Sequence, residues 1–196
     1  MAYPLQWSPS MTARRALHDE RGFTLVEMVV VVAIIGILAV LAVVGYRKLI
    51  TSSHTAEATG MVTAIRAAQE SYQAEVMQYA DISPDINTTY PIDKGSVGMV
   101  KTAWGFACGS ACKTTTWAML PVHVDAPVMF GYATTAGPAG TAPRPTSVTV
   151  NNQAVTFPTT STLNWFVIGA YGKPDGQTLI SVYGDSWSND ILVDND

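Results

Sequence analysis

The sequence predicts an α+β fold: a long N-terminal α-helix, membrane-spanning in its first half, packed by its second half on an antiparallel β-sheet. Three observations carry this. The 196-residue chain runs without a charge from Met28 to Tyr46. Ala58, Met61, Ile65, Ala68, Tyr72, Val76 and Tyr79 then step by threes and fours, as one face of a helix does. After Asp81 the pattern changes to short β-branched and aromatic runs between turn signals.

The apolar run comes first. Its nineteen residues match about 30 Å of hydrocarbon at about 1.5 Å per residue. Backbone groups inside lipid must bond internally, so a single segment crosses as a helix. An ordinary secretory signal has a short basic start and a small-residue site after the apolar stretch. Val43 and Gly45 make a weak site of that kind. The long polar opening, Met1 to Gly22, and the acid Glu27 at the start of the run argue against it. An acid costs about 2.5–3.5 kcal/mol at mid-membrane on insertion scales, so neither a signal nor a plain anchor has a use for Glu27.

The helix should continue to about Tyr79 and reach roughly 85 Å from Phe23, its first half projecting from the globular part. Thr59, Thr63, Arg66, Gln73 and Gln78 fall on the polar face, and Pro84 disfavours further helix. Thr114–Val124 and Val128–Thr134 read as strands, and Ala136–Pro145 as an exposed loop. Val148–Val150 and Val155–Phe157 read as a hairpin, with Asn151 and Asn152 able to take positive φ. Leu163–Tyr171 is a strand, Lys173–Gly176 a turn with proline and glycine in their working places, and Thr178–Tyr183 pairs back. About five antiparallel strands are expected.

Gly22, Phe23, Thr24, Leu25, Val26 and Glu27, followed by VVVVAIIGILAVLA, resemble the start of a type IV prepilin or a type II secretion pseudopilin. The strong resemblance covers roughly residues 21–50. It implies a pilin fold and a defined processing path. Prepilin peptidase would cut after Gly22, removing residues 1–22 as leader, and would N-methylate Phe23. Residues 23–46 would form the membrane and filament-core helix, 47–80 its amphipathic continuation, and 81–196 the β-rich head. Glu27 would serve assembly, set against the new amine of a neighbouring subunit. Many pilins carry a proline near the end of the apolar run. Here Val44 stands at that position and Gly45 follows, so a kink near Gly36–Gly45 would be softer.

The resemblance also implies partners and places: prepilin peptidase, other pilin subunits in a helical homopolymer, an inner-membrane assembly platform, and the inner membrane itself before export to a surface pilus. Arg14, Arg15 and Arg21 before the span favour a cytoplasmic leader, though Arg47 and Lys48 after it weaken that signal. A pseudopilin of a secretion machine and a membrane-anchored, non-polymerising binding module are the alternatives.

The head is acidic. From Ala80 to Asp196 nine aspartates face five lysines and arginines, which disfavours nucleic acid as a partner. Cys108 and Cys112 sit in Phe-Ala-Cys-Gly-Ser-Ala-Cys-Lys. In an oxidising compartment such a pair reads as a disulfide closing a tight loop. No metal or other cofactor is expected. Cys-x3-Cys with His123 lacks ligands for zinc. Ser186, Ser188, Asn189, Asp190 and Asp194–Asp196 are oxygen-rich but lack a spaced calcium loop, and read as a solvated acidic tail. His123 and Asp125 read as a surface pair, and Trp104, Trp117, Trp165 and Trp187 as core fillers. His18, His54 and His123 form no catalytic set. The chain reads as the substrate of an enzyme rather than as one.

Overall fold

The computed structural model describes residues 22–105, 117–122 and 124–195. The chain divides into two compact units, Met1–Ala42 and Val43–Asp196. A single helix, α1 (Leu25–Val76), begins in the first and ends in the second. It runs unbroken through Gly36, Val44 and Gly45. In the first unit every described residue is exposed, and α1 is long and apolar enough to cross a membrane.

In the second unit six strands follow among the described residues: β1 (Gly131–Gly137), β2 (Ser147–Val150), β3 (Gln153–Thr156), β4 (Trp165–Gly172), β5 (Ile180–Asp185) and β6 (Leu192–Asp194). They make an antiparallel four-stranded sheet in the order β1-β4-β5-β6 and a separate β2-β3 hairpin. One long N-terminal helix with an antiparallel sheet is an α+β architecture consistent with the pilin fold.

The sheet is covered on both faces, which explains why β4 and β5 are buried along their whole length. Alternate residues point opposite ways. Phe166, Ile168 and Ala170 of β4 join Ile180 and Val182 of β5 under Ala58, Val62, Ile65 and Ala68 of α1. Trp165, Val167 and Tyr171 face the other way, into a second cluster with Val148 and Val150 of the hairpin and Ile86. Gly184, in step with Ile180 and Val182, lets the helix come close. A Cβ there would sit 2.9 Å from Val62 Cγ1 and 3.2 Å from an Arg66 terminal nitrogen. Gly184→Val is therefore expected to cost about 2 kcal/mol through overpacking, read as a lower thermal midpoint of the full chain in detergent.

Polar ties fix the helix beside the loops. Glu57 accepts the Met129 N–H at 3.1 Å and pairs with Lys101 Nζ at 3.3 Å. Arg66 donates to the carbonyls of Asn189 at 2.9 Å and Asp190 at 3.3 Å. Thr51, Thr55, Thr59 and Thr63 each turn their hydroxyl to the carbonyl four residues back, at 2.9–3.1 Å, which satisfies these groups within the helix.

Four expectations change. The helix ends at Val76 rather than about Tyr79, because Met77 adopts φ +62° and donates its N–H to the Gln73 carbonyl at 2.8 Å, an αL stop. The strand expected at Val128–Thr134 lies at Gly131–Gly137, so Ala136 and Gly137 are strand rather than loop. The strand expected at Thr114–Val124 is replaced over Trp117–Leu120 by a turn, with Leu120 N–H bonded to the Trp117 carbonyl at 3.2 Å. The acidic end is no free tail: Leu192–Asp194 pairs with β5, and the Asp194 carboxylate accepts the Asn151 N–H at 3.1 Å. The hairpin forms where expected, with Asn151 and Asn152 at φ +49° and +57°. Gly176 closes its turn at φ +75°.

Candidate functional site

The candidate site residues Gly22, Phe23 and Glu27 lie at the start of α1. Gly22 and Phe23 precede the helix and are exposed, Phe23 by 74%. A Cβ added at Gly22 would meet nothing within 4 Å among the described residues.

Thr24 is the residue before the first helical one, and Glu27 is the third residue of the helix. The Glu27 N–H donates to Thr24 Oγ1 at 3.2 Å. In return a Glu27 carboxylate oxygen accepts from the Thr24 N–H at 3.4 Å. It also lies 3.4 Å from the Thr24 hydroxyl. This reciprocal pair is a capping box, which satisfies two of the orphan donors that every helix start leaves. The carboxylate also sits at the positive end of the helix dipole, where an anion is stabilised.

Sequence reasoning singled out Glu27 and missed its partner. The signal was present: Thr-x-x-Glu directly before a long apolar run is the capping-box pattern. The consequence is specific. Glu27 has a hydrogen-bonding role inside its own chain, so a simple anchor does have one use for it. Gly22 and Phe23 directly precede the capping turn that Thr24 and Glu27 close. Cys108, Cys112 and His123 lie outside the described residues.

Away from this helix start, several polar side chains among the described residues are engaged in holding the fold. Among the described residues no group of three or more His, Cys, Asp or Glu is placed to hold a metal ion. The Asp185 carboxylate accepts the N–H groups of Trp187 and Ser188 at 2.8 and 2.7 Å, and Arg66 holds the carbonyls that follow. Arg144 meets Asp81 at 2.6 Å, and that carboxylate also caps the Ala136 N–H at 3.1 Å. Trp165 and Trp117 are buried. Trp104 packs against the first core cluster, and Trp187 stacks on Phe157 with centroids 5.5 Å apart.

The family model of the prokaryotic N-terminal methylation motif matches residues 17–43. The match covers the end of the leader, the Gly22–Phe23 bond, the capping box and most of the apolar run, and stops before the head. No curated protein and no solved structure matches the chain. The chain thus carries the class III leader of type IV pilins, followed by a long apolar helix. That motif supports a type IV pilin or related pseudopilin, a substrate of prepilin peptidase that assembles with other pilin-like subunits. Leader and apolar helix together support membrane anchoring before assembly.

Proposed function

We propose that the chain is a structural subunit of a type IV pilus. Prepilin peptidase cuts after Gly22 and methylates the Phe23 amine, residues 23–46 hold the subunit in the inner membrane, and the subunit is then polymerised into a surface filament. Adhesion, motility or uptake is a property of that filament's surface, formed by the head at 81–196. The subunit itself is not an enzyme.

The observation that carries this reading is the methylation motif set on a helix whose apolar side chains are bare. Phe23, Leu25, Val26 and most of the following aliphatic residues are more than half exposed. Such a surface needs lipid before assembly and neighbouring helices after it. Cleavage adds an amine at Phe23, four residues before Glu27. Two charges that are each costly among apolar groups are tolerable as one pair, and such a pair would fix the axial register of the polymer.

The test is mass spectrometry of the N-terminal peptide from sheared surface material and from membranes. The expected result is a peptide starting at methylated Phe23 in the sheared fraction. A chain that keeps Met1 and stays in the membrane would overturn the reading in favour of an anchored binding module. A processed chain confined to the cell envelope would favour the pseudopilin.

A further inference from the structure

We propose that the head carries its own membrane-docking edge, built from the Met99–Val100 loop and the start of the helix's polar continuation, and that it rests on the lipid surface of the membrane the subunit is anchored in. The inference rests on insertion of the apolar run.

Position is the first argument. The uncharged run ends at Tyr46, and Arg47 and Lys48 follow at once. When the run spans the hydrocarbon, these two residues lie at headgroup depth. Tyr46, Arg47, Lys48 and Ile50 line one open groove whose far wall is Met99 with the Pro174–Asp175 turn. The head thus reaches the same level along the helix as the end of the span.

Chemistry is the second. Met99 is 66% exposed and Val100 77%, two apolar side chains side by side at a loop tip. Met99 packs on the Lys173–Gly176 turn, with its Sδ 3.2 Å from where a Cβ on Gly176 would stand, so the tip is held against the groove. Tyr46 and Leu49 are exposed on the helix beside it. Apolar side chains with a tyrosine and basic residues at one depth make an interfacial anchor.

Charge is the third. Arg47, Lys48 and Lys173 outnumber Asp175 at this edge, whereas the head as a whole is acidic. Asp175 is exposed and stays ionised, but its carboxylate is engaged by its own turn: it accepts the N–H groups of Gln177 and Thr178 at 2.9 and 2.8 Å, and the Gln177 bond above all holds its carboxyl below the usual range. Lys101 is committed to Glu57. A locally basic edge on an acidic domain complements anionic lipid headgroups. It also gives Arg47 and Lys48 a purpose on the side of the span where topology rules do not call for them.

The experiment places a photoreactive benzophenone amino acid at Val100, or at exposed Thr160 as control, in the full chain. The chain is reconstituted in vesicles of phosphatidylethanolamine and phosphatidylglycerol. About tenfold more lipid adduct is expected at 100 than at 160, reduced when Arg47→Gln and Lys48→Gln are combined. Equal adduct yields, or adducts at 100 that join two protein copies, overturn the proposal, the latter in favour of a subunit interface. Alkaline carbonate extraction separates the two layers. A chain retained in the vesicles without lipid adduct defeats the docking edge alone, and a chain that is extracted defeats membrane insertion and the docking edge with it.

Discussion

Replacing Gln69 with leucine is expected to cost about 3–5 kcal/mol, more than most single changes on the head. Gln69 is fully buried. Its Nε2 donates to the Ala80 carbonyl at 2.8 Å and to Thr134 Oγ1 at 3.0 Å, and its Oε1 accepts the Ala80 N–H at 2.8 Å. One side chain therefore ties α1 to the chain returning from it and to β1 of the sheet. Leucine keeps a similar volume, so packing changes little. What it leaves are a backbone N–H, a backbone carbonyl and a hydroxyl, all buried and without their partner, at about 1–3 kcal/mol each before partial compensation. For a chain of this size the thermal midpoint should fall by about 10 °C, measured by circular dichroism on the full chain in detergent. A midpoint within a degree or two of the parent would show that the amide does not hold the helix to the sheet.

Gln69 also marks where sequence reading stopped. The stripe chosen by apolar identity was Ala58, Met61, Ile65, Ala68, Tyr72, Val76 and Tyr79. The fully buried line runs Ala58, Val62, Ile65 and Gln69, with Ala68 beside it. Met61 and Tyr72 flank it, and Val76 is half exposed. Periodicity located the face within one residue's rotation, but a polar residue that satisfies its own hydrogen bonds in the core is invisible to a hydrophobic pattern. Tyr79 does reach the core, edge-on to Phe166 at 4.7 Å, although it gets there after the helix has ended.

The sheet was legible where local chemistry is strong. β4 and the Asn151–Asn152 hairpin follow from β-branched runs and from residues that tolerate positive φ. β1 was displaced because Ala136 and Gly137 look like loop residues. They are strand because they pair with Phe166 and Trp165, a tertiary cause that composition does not carry. β6 was missed for the same reason, since three residues ending in an acid become a strand only beside β5. At the N-terminus the motif residues were all legible, and the capping geometry was present as a spacing that went unused.

That geometry sets up the second large effect. Glu27→Ala is expected to be cleaved after Gly22 as usual and to lower the yield of sheared filament by more than tenfold, the equivalent of about 1.4 kcal/mol or more per subunit contact. Two losses contribute. Removing the carboxylate loses the return half of the capping box, the bond from the Thr24 N–H, at about 0.5–1.5 kcal/mol, while the Thr24 hydroxyl still accepts the N–H of residue 27. Under the proposed pairing, removing the acid also leaves a neighbour's amine without a counter-charge in an apolar surround, at about 2.5–3.5 kcal/mol. Glu27→Gln separates them. Glutamine at the third helical position still accepts the Thr24 N–H, so the cap survives and the charge does not. If Glu27 acts through the pair across subunits, the Gln variant should assemble as poorly as the Ala variant. If it acts only as a cap, the Gln variant should give parental yield, and Thr24→Ala should then show the defect instead. Filament yield from sheared cells, normalised to processed subunit in the membrane, distinguishes these outcomes. Parental yield from Glu27→Ala itself would remove Glu27 from assembly altogether.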